Sequence, residues 1–548
     1  MKTRSAALVA TLAAALAGVL AIAGPAQAMT DAGLADVVRQ RLHGDRTGAC
    51  MAVAVIEKDH VARTFQCARD GDVGRIGADT AFEIGSVSKT MTGALLAELI
   101  AQGKGSLDDT LASWLPEGTK VPDWQGQPIL LRHVVTHTSG LPALPSRMEA
   151  TATDPYAKLD EAVLLASLAE VKLRAAPGAK FEYSNFAMML LSQAIARRAG
   201  TDFESLARRE LFAPLGMSHA YINQPPTGVR VASGHASSGQ VVPAWHFATD
   251  LAGVGGVRAT LDDMVRYVQG GMGWIDVPVA RALRKTHEPL TEQMGMNWMR
   301  TPIKGRTVLW HEGATGGFSS FVSLDPQRQR GVVILSDTSW TAIGGLGSLG
   351  MHLVDESLPL GGPRKAVAAE PALLQALVGE YRLQETMTMT LRQRDGRLFI
   401  QADGQGEFEM GHDDAGDFFP LAFDAVLRPQ RRVDGSYGFT WMQSGAAIPA
   451  TRVDHATSKA QSPSAAELAA YAGDYPLMPS FSLNVREQGG RLYAQATGQG
   501  AFPLDATAVD TFEAPAFGIE IVFRRDAAGK VESLELHQAG HVMRGVRQ

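Results

Sequence analysis

Three short stretches carry side chains whose types and spacing could do chemistry. The first is Gly85-Ser86-Val87-Ser88-Lys89, which opens an apolar run over 90–100 that is closed by Gly103. Such a run reads as a buried helix, and a buried helix has no packing use for an ammonium group in its first turn. Ser86 and Lys89 stand three residues apart, so their side chains share one face near the helix N-terminus. There an amine can take the hydroxyl proton and the oxygen can attack a carbonyl, with the positive helix end favouring the developing anion. The second stretch is Phe181-Glu182-Tyr183-Ser184-Asn185, after Pro177-Gly178 and before an apolar helix over 186–199. Taken alone it also suits a hydrogen-bonding core tyrosine at a loop-to-helix junction, with Asn185 as the N-cap. The third is Trp310-His311-Glu312-Gly313-Ala314-Thr315-Gly316-Gly317-Phe318, whose glycines at a strand edge allow another backbone to approach closely. A lone His there would ordinarily be structural. His133 and His137 have metal-site spacing, but no third ligand accompanies them. Packed, hydrogen-bonded histidines are expected instead, with no metal and no cofactor.

The elements that must position these stretches alternate from residue 29 to about 362. Two strands, 51–56 and 61–65, precede the Ser86 helix. Further helices are expected at 159–171, 186–199, 203–211 and 261–268. Strands return at 307–310, 319–324 and 331–336, the last two joined at Asp325-Pro326, and a helix-like tail covers 342–358. Strands at both ends with helices between predict one mixed sheet formed from both termini, plus a separate helical lobe. A Gly/Pro/Ala-rich joint at 359–372 follows. Beyond it the chain repeats itself. Gly379-Glu380-Tyr381 matches Gly473-Asp474-Tyr475, and Gly404-Gln405-Gly406 matches Gly498-Gln499-Gly500, both offset by 94; after one insertion Arg452 matches Arg547. Two copies of one β-rich unit, small antiparallel barrels or meanders, are predicted at 373–455 and 466–548. Neither carries a catalytic pattern.

Composition narrows the class of partner. The 548 residues are 45% hydrophobic with 57 glycines and a formal charge of −6. There is no basic stripe, which argues against nucleic acid and anionic membrane surfaces. Residues 1–28 read as a secretory signal: Lys2 and Arg4, an apolar segment over 6–23, and Ala26-Gln27-Ala28 as the cleavage site. No later stretch approaches membrane-spanning length, so a soluble mature chain, periplasmic or secreted, is expected. A hairpin closed at Lys58-Asp59 sets Glu57 opposite His60 and Cys50 opposite Cys67. In an oxidising compartment that pairing favours a cross-strand disulfide over two unpaired core cysteines.

The order Ser-x-x-Lys, Tyr-x-Asn, His-x-Gly, with a strand after the last, carries a resemblance. So do the flanking Thr136-His137-Thr138-Ser139-Gly140-Leu141-Pro142 and Gly255-Gly256-Val257-Arg258-Ala259-Thr260. Residues 45–360 resemble the serine β-lactamase and penicillin-binding-protein superfamily, particularly its class C-like serine hydrolases; the related class A pattern has Ser-Asp-Asn and Lys-Thr-Gly as its second and third elements. The resemblance implies an α+β chain: a catalytic domain over 29–362, with an antiparallel sheet and a helical lobe, and then the two barrels. It implies Ser86 as nucleophile, Lys89 as its proton partner and Tyr183 as the shuttle to the leaving group. His311, Gly313 and Ala314 would bind substrate and Asn185 would hold the substrate amide or Lys89, with the backbone N–H groups of Ser86 and Ala314 as oxyanion hole. The loop 143–156 is a candidate rim of the cleft.

His311 departs from the usual lysine. A lysine offers a permanent charge to the carboxylate of a β-lactam or peptide C-terminus, whereas a His is mostly neutral near pH 7. The His-x-Gly form and the two barrels resemble D-aminopeptidases and related D-peptidases and esterases, in which a barrel loop reaches the active site. The expected function is an exported serine hydrolase that cleaves an amide or ester through a Ser86 acyl-enzyme, acting on D-amino-acid peptides or peptidoglycan fragments. A β-lactamase, a carboxylesterase, and from another class a penicillin-recognising scaffold are the alternatives.

Overall fold

A strand from near the N-terminus completes the sheet that later strands begin. In this computed structural model the order is Met299–Ile303, Arg306–Ala314, Ser319–Asp325, Arg330–Ser336, Cys50–Glu57, Val61–Cys67, and every pairing is antiparallel. The structure describes residues 28–548 except 150–152, 237, 340–344, 365, 385–386, 404, 422–424, 433–434, 444–445, 454–464, 479–480, 499, 515–518, 527–528 and 539–540. The expected signal segment, apart from Ala28, lies outside the described residues.

The first hairpin has the register its sequence suggests. Cys50 pairs with Cys67 and Ile56 with Val61, the Glu57 N–H donates to the His60 carbonyl at 2.8 Å, and the two cysteines form a disulfide. Alternation then decides which core each side chain enters. Ala52, Ala54 and Ile56 join the large core on the helical side, whereas Met51, Val53 and Val55 join a smaller one beneath the helices Asp31–Leu42 and Gly347–Val354. The strand is buried on both faces, which accounts for its nearly continuous apolar sequence.

The helix Ser88–Ala101 runs through the large core, with every residue from Ser88 to Leu99 buried, which is why its sequence shows no polar face. Other boundaries differ from expectation for local reasons. The helix expected at 159–171 is Glu161–Leu168, started by the Asp160 carboxylate accepting from the Val163 N–H. The one expected at 203–211 is Phe203–Ala207, then a π turn, Arg208–Phe212, then Ala213–Leu215; Pro214 cannot donate to the carbonyl four residues back. The strand expected at 307–310 runs on to Ala314, since it pairs residue by residue with its neighbour from Leu309↔Leu324 to Ala314↔Ser319. Of the expected 342–358 helix, Gly347–Val354 is helical.

The chain divides into two compact units, Met1–Arg452 and Val453–Gln548. The first ends in a closed eight-stranded barrel, Gly379–Gln384 to Ala446–Arg452; the second holds an eight-stranded sheet, Gly473–Met478 to His541–Val546. The repeat is visible in its fastenings. The buried Tyr381 hydroxyl donates to the Leu377 carbonyl at 2.9 Å and its counterpart Tyr475 to Tyr471 at 2.8 Å. Arg452, late in the first copy, donates to the carbonyls of Ala376 and Val378, and Arg547 to those of Ala470 and Ala472. Each copy thus ties its last strand to the short helix leading into its first. No helix among the described residues is long and apolar enough to cross a membrane.

Candidate active site

Two glycines let backbones meet where a side chain would hold them apart. Gly85 has φ +50, and a Cβ there would lie 2.6 Å from the Ala314 nitrogen; a Cβ on Gly313 would lie 2.0 Å from the Ile84 carbonyl oxygen. The strand Arg306–Ala314 therefore runs directly against the 3-10 turn Gly85–Val87, and the Ser320 hydroxyl pins the same Ile84 carbonyl at 2.7 Å. Ser86 is the partly exposed residue of an otherwise buried segment.

Lys89 lies beneath it. Its Nζ is 2.8 Å from Ser86 Oγ and donates to the Val254 carbonyl at 2.7 Å, from the 3-10 turn Thr249–Val254. The side chain is fully buried and has no carboxylate partner among the described residues, so desolvation holds its pKa well below the ordinary 10.5. The Tyr183 ring centroid is 5.1 Å from Nζ. Burial raises the Tyr183 pKa, the nearby Ser86 hydroxyl opposes that shift, and Tyr156 adds to it, so Tyr183 is a phenol rather than a phenolate.

The His311 ring is 6.4 Å from that of Tyr183. Its Nδ1 lies 2.6 Å from the Glu312 carbonyl, which can only accept, so Nδ1 carries the proton and Nε2 is a buried acceptor without a hydrogen-bond partner among the described residues. Burial, aided by Lys89, lowers its pKa to about 3. Asn185 opens the helix Asn185–Ala199, but the cap is Ser184, whose hydroxyl accepts from the Ala187 N–H at 2.9 Å. No hydrogen bond among the described residues joins the Asn185 side chain to Ser86 or Lys89. The structure thus gathers Ser86, Lys89, Tyr183, His311, Gly313 and Ala314, while Asn185 enters as the first residue of the helix that follows Tyr183. Cys50 and Cys67 serve the hairpin instead.

His133 and His137 share no helix face. The helix Leu131–Val135 ends before His137, which has φ +54. His133 Nδ1 accepts from the Leu130 N–H. His137 is fully buried and its ring stacks on Tyr183 at 4.2 Å.

One wall of the site was not apparent in the sequence. Tyr156 stacks on Phe247 at 4.7 Å and meets Trp245 edge-on at 5.4 Å. A Cβ on Gly255 would touch Phe247 and Gly85 at 3.6 Å, and one on Gly316 would lie 2.8 Å from the Trp245 indole nitrogen. Behind them a buried ion pair, Glu83–Arg258 at 3.0 Å, also binds the Trp245 backbone N–H through Glu83 and its carbonyl through Arg258. The only advance signal was the small-residue loop 143–156, since residues 245–247 come about 90 positions later. From the first barrel, Asp403 reaches Lys180, three residues before Tyr183, at 3.1 Å. Both side chains are about one-third or more exposed, so this pair is worth roughly 0–1 kcal/mol.

Comparison with known proteins follows the same outline. The pattern of the family described as Beta-lactamase matches residues 34–341, and one described as a domain of unknown function (DUF3471) matches 457–547. The chain is 29% identical over 309 residues to the D-alanyl-D-alanine-carboxypeptidase/endopeptidase AmpH of Escherichia coli (strain K12), covering 52% of this chain and 78% of that protein. It is 28% identical over 299 residues to a Beta-lactamase of the same strain, covering 48% and 76%. Among solved structures, D-alanine carboxypeptidase AmpC from Burkholderia cenocepacia is 26% identical, with a TM-score of 0.46, covering 56% of this chain and 94% of that one.

Proposed function

Since the chain belongs to the Beta-lactamase family and is a serine hydrolase, we propose that it acts through an acyl-enzyme on Ser86, exported by its leader, on D-amino-acid peptides or peptidoglycan fragments. The observation that carries this reading is the buried Lys89 amine 2.8 Å from Ser86 Oγ.

Desolvation lowers the Lys89 pKa well below 10.5 and so favours the neutral amine, whose lone pair takes the Ser86 proton while an N–H remains on the Val254 carbonyl. The oxygen attacks the carbonyl of the substrate, and the Ser86 and Ala314 N–H groups receive the oxyanion, worth about 3–4 kcal/mol per donor. Tyr183, protonated and next to Ser86, gives its proton to the leaving amine or alcohol and recovers one from Lys89. Water then repeats the attack on the ester. In this reading residues 29–362 do the chemistry, and 373–455 and 466–548 are accessory.

His311 supports a D-peptidase over an efficient β-lactamase. A neutral acceptor attracts an N–H or ammonium group and gives a carboxylate nothing to pair with. Independently of His311, the similarity to a D-alanyl-D-alanine-carboxypeptidase/endopeptidase supports a D-peptide substrate, and that to a Beta-lactamase keeps the second reading in play.

Treatment with a fluorophosphonate, followed by peptide mass analysis, should find the adduct on Ser86, and Ser86→Ala should abolish it. Turnover of D-alanyl amides, p-nitrophenyl esters and nitrocefin should then favour the D-alanyl amides. An adduct that persists in Ser86→Ala overturns the mechanism; dominant nitrocefin turnover overturns the substrate class.

A further inference from the structure

His137 is more tightly built into the site than a packing residue needs to be. It lies in the left-handed region at φ +54, which costs a non-glycine residue roughly 1–2 kcal/mol. Backbone strain of that kind persists where the surroundings over-determine it, and it clusters at functional sites. Here the surroundings are the catalytic tyrosine's own segment. The His137 carbonyl accepts from the Glu182 N–H at 2.7 Å, its Nδ1 accepts from the Ser184 N–H at 3.2 Å, and its ring lies under the Tyr183 ring at 4.2 Å and 28°. One residue on, the Thr138 carbonyl takes the Gly178 N–H at 2.7 Å; further on, the Pro142 carbonyl takes the Ser184 hydroxyl and the Ala143 carbonyl the Phe186 N–H. Tyr183 is thus flanked on both sides by backbone N–H groups bonded to His137, and its face rests on the same side chain.

The bond from Ser184 also fixes the tautomer. An Nδ1 that accepts an N–H has no proton, so a neutral ring carries it on Nε2, which is buried and has no hydrogen-bond partner among the described residues. Burial, with Lys89 and His311 close by, pushes the His137 pKa well below 6.5 and so keeps the ring in this form.

We propose that His137 is a positioning residue of the hydrolytic site, a platform whose stacked ring and Ser184 bond aim the Tyr183 hydroxyl at the leaving group of the Ser86 adduct. The proposal rests on the Ser86 reading above. It makes His137 matter only where Tyr183 must deliver a proton.

The test compares an amide with a p-nitrophenyl ester of the same acyl group, because p-nitrophenolate departs without protonation. His137→Phe keeps a stacking ring and loses the Ser184 acceptor. His137→Asn keeps an oxygen acceptor and tolerates the left-handed backbone but loses the stack. Both variants should lower kcat on the amide about tenfold or more with little change in KM, and lower the ester rate about threefold or less. Adding either to Tyr183→Phe should lower amide turnover no further. Equal losses on the two substrates, or losses that add to that of Tyr183→Phe, would reduce His137 to a core residue. Hydrolysis of both substrates that survives Ser86→Ala would instead refute the Ser86 reading itself.

Discussion

Replacing the family's usual lysine with His311 changes more than a charge count. With a pKa near 3, the ring stays neutral above that range, so in the proposed mechanism an acid limb of activity would report Lys89, whose pKa burial lowers well below 10.5. The histidines also bear on stability. His287 and His311 stay neutral in the folded chain down to about pH 3, whereas an unfolded imidazole takes a proton near 6.5. The unfolded chain therefore binds more protons between those limits, so stability is intact above pH 6.5 and is lost progressively as pH falls toward 3. His287 stacks edge-on against Trp298, away from the catalytic groups, and is the cleaner probe. In His287→Gln the fall of Tm between pH 6 and 4 should be shallower than in the wild type; parallel curves would place the acid lability elsewhere. At this scale the sequence was legible where a residue type is out of place, as with an ammonium in the first turn of an apolar helix. It marked His137 only as a packed, hydrogen-bonded histidine within the resembling stretch 136–142, because the proposed role lies in a φ angle and a stacking partner 46 residues away.

Elements differ in how openly they announce themselves. The helix Ser88–Ala101 could be read from its apolar run because it is buried all round. The end of the strand Arg306–Ala314 could not, since His-Glu-Gly-Ala has little strand propensity and is extended only through pairing with Ser319–Asp325. That pairing, together with two glycines, holds the strand against the turn before Ser86. A methyl on Gly313 would fall 2.0 Å from the Ile84 carbonyl, so Gly313→Ala must push strand and turn apart. Its expected cost is about 1–3 kcal/mol in stability. With the Ala314 N–H displaced, kcat should fall roughly 100-fold. Denaturant melts and steady-state kinetics check both, and a variant with the wild-type kcat would remove Ala314 from the oxyanion hole. The aromatic wall was illegible for a related reason: Tyr156 and Trp245–Phe247 become neighbours only when the loops fold over Gly85 and Gly255.

For the whole molecule, the repeat was the plainest signal, because identical fastenings leave identical letters at a fixed offset. The β-rich pattern left barrel or meander open and the resemblance implied barrels; closure of the first copy rests on the pairing of Tyr381 with Arg452. Removing Arg547 should leave the carbonyls of Ala470 and Ala472 without their donor and weaken the unit Val453–Gln548 by about 1–3 kcal/mol. In scanning calorimetry Arg547→Ala should shift that unit's transition and leave hydrolysis unchanged. Arg452→Ala should instead shift the transition of the unit that carries Ser86; a loss of hydrolysis in Arg547→Ala would contradict this division. The sheet itself sets a clock. Cys50–Glu57 sits between Val61–Cys67, made moments later, and Arg330–Ser336, nearly three hundred residues downstream. At about 5–20 residues per second, a ribosome needs roughly 15–55 s to supply that second neighbour. During this interval the early hairpin waits with one apolar edge bare, so a newborn chain stays unfinished, and in need of shelter, until most of it has been translated.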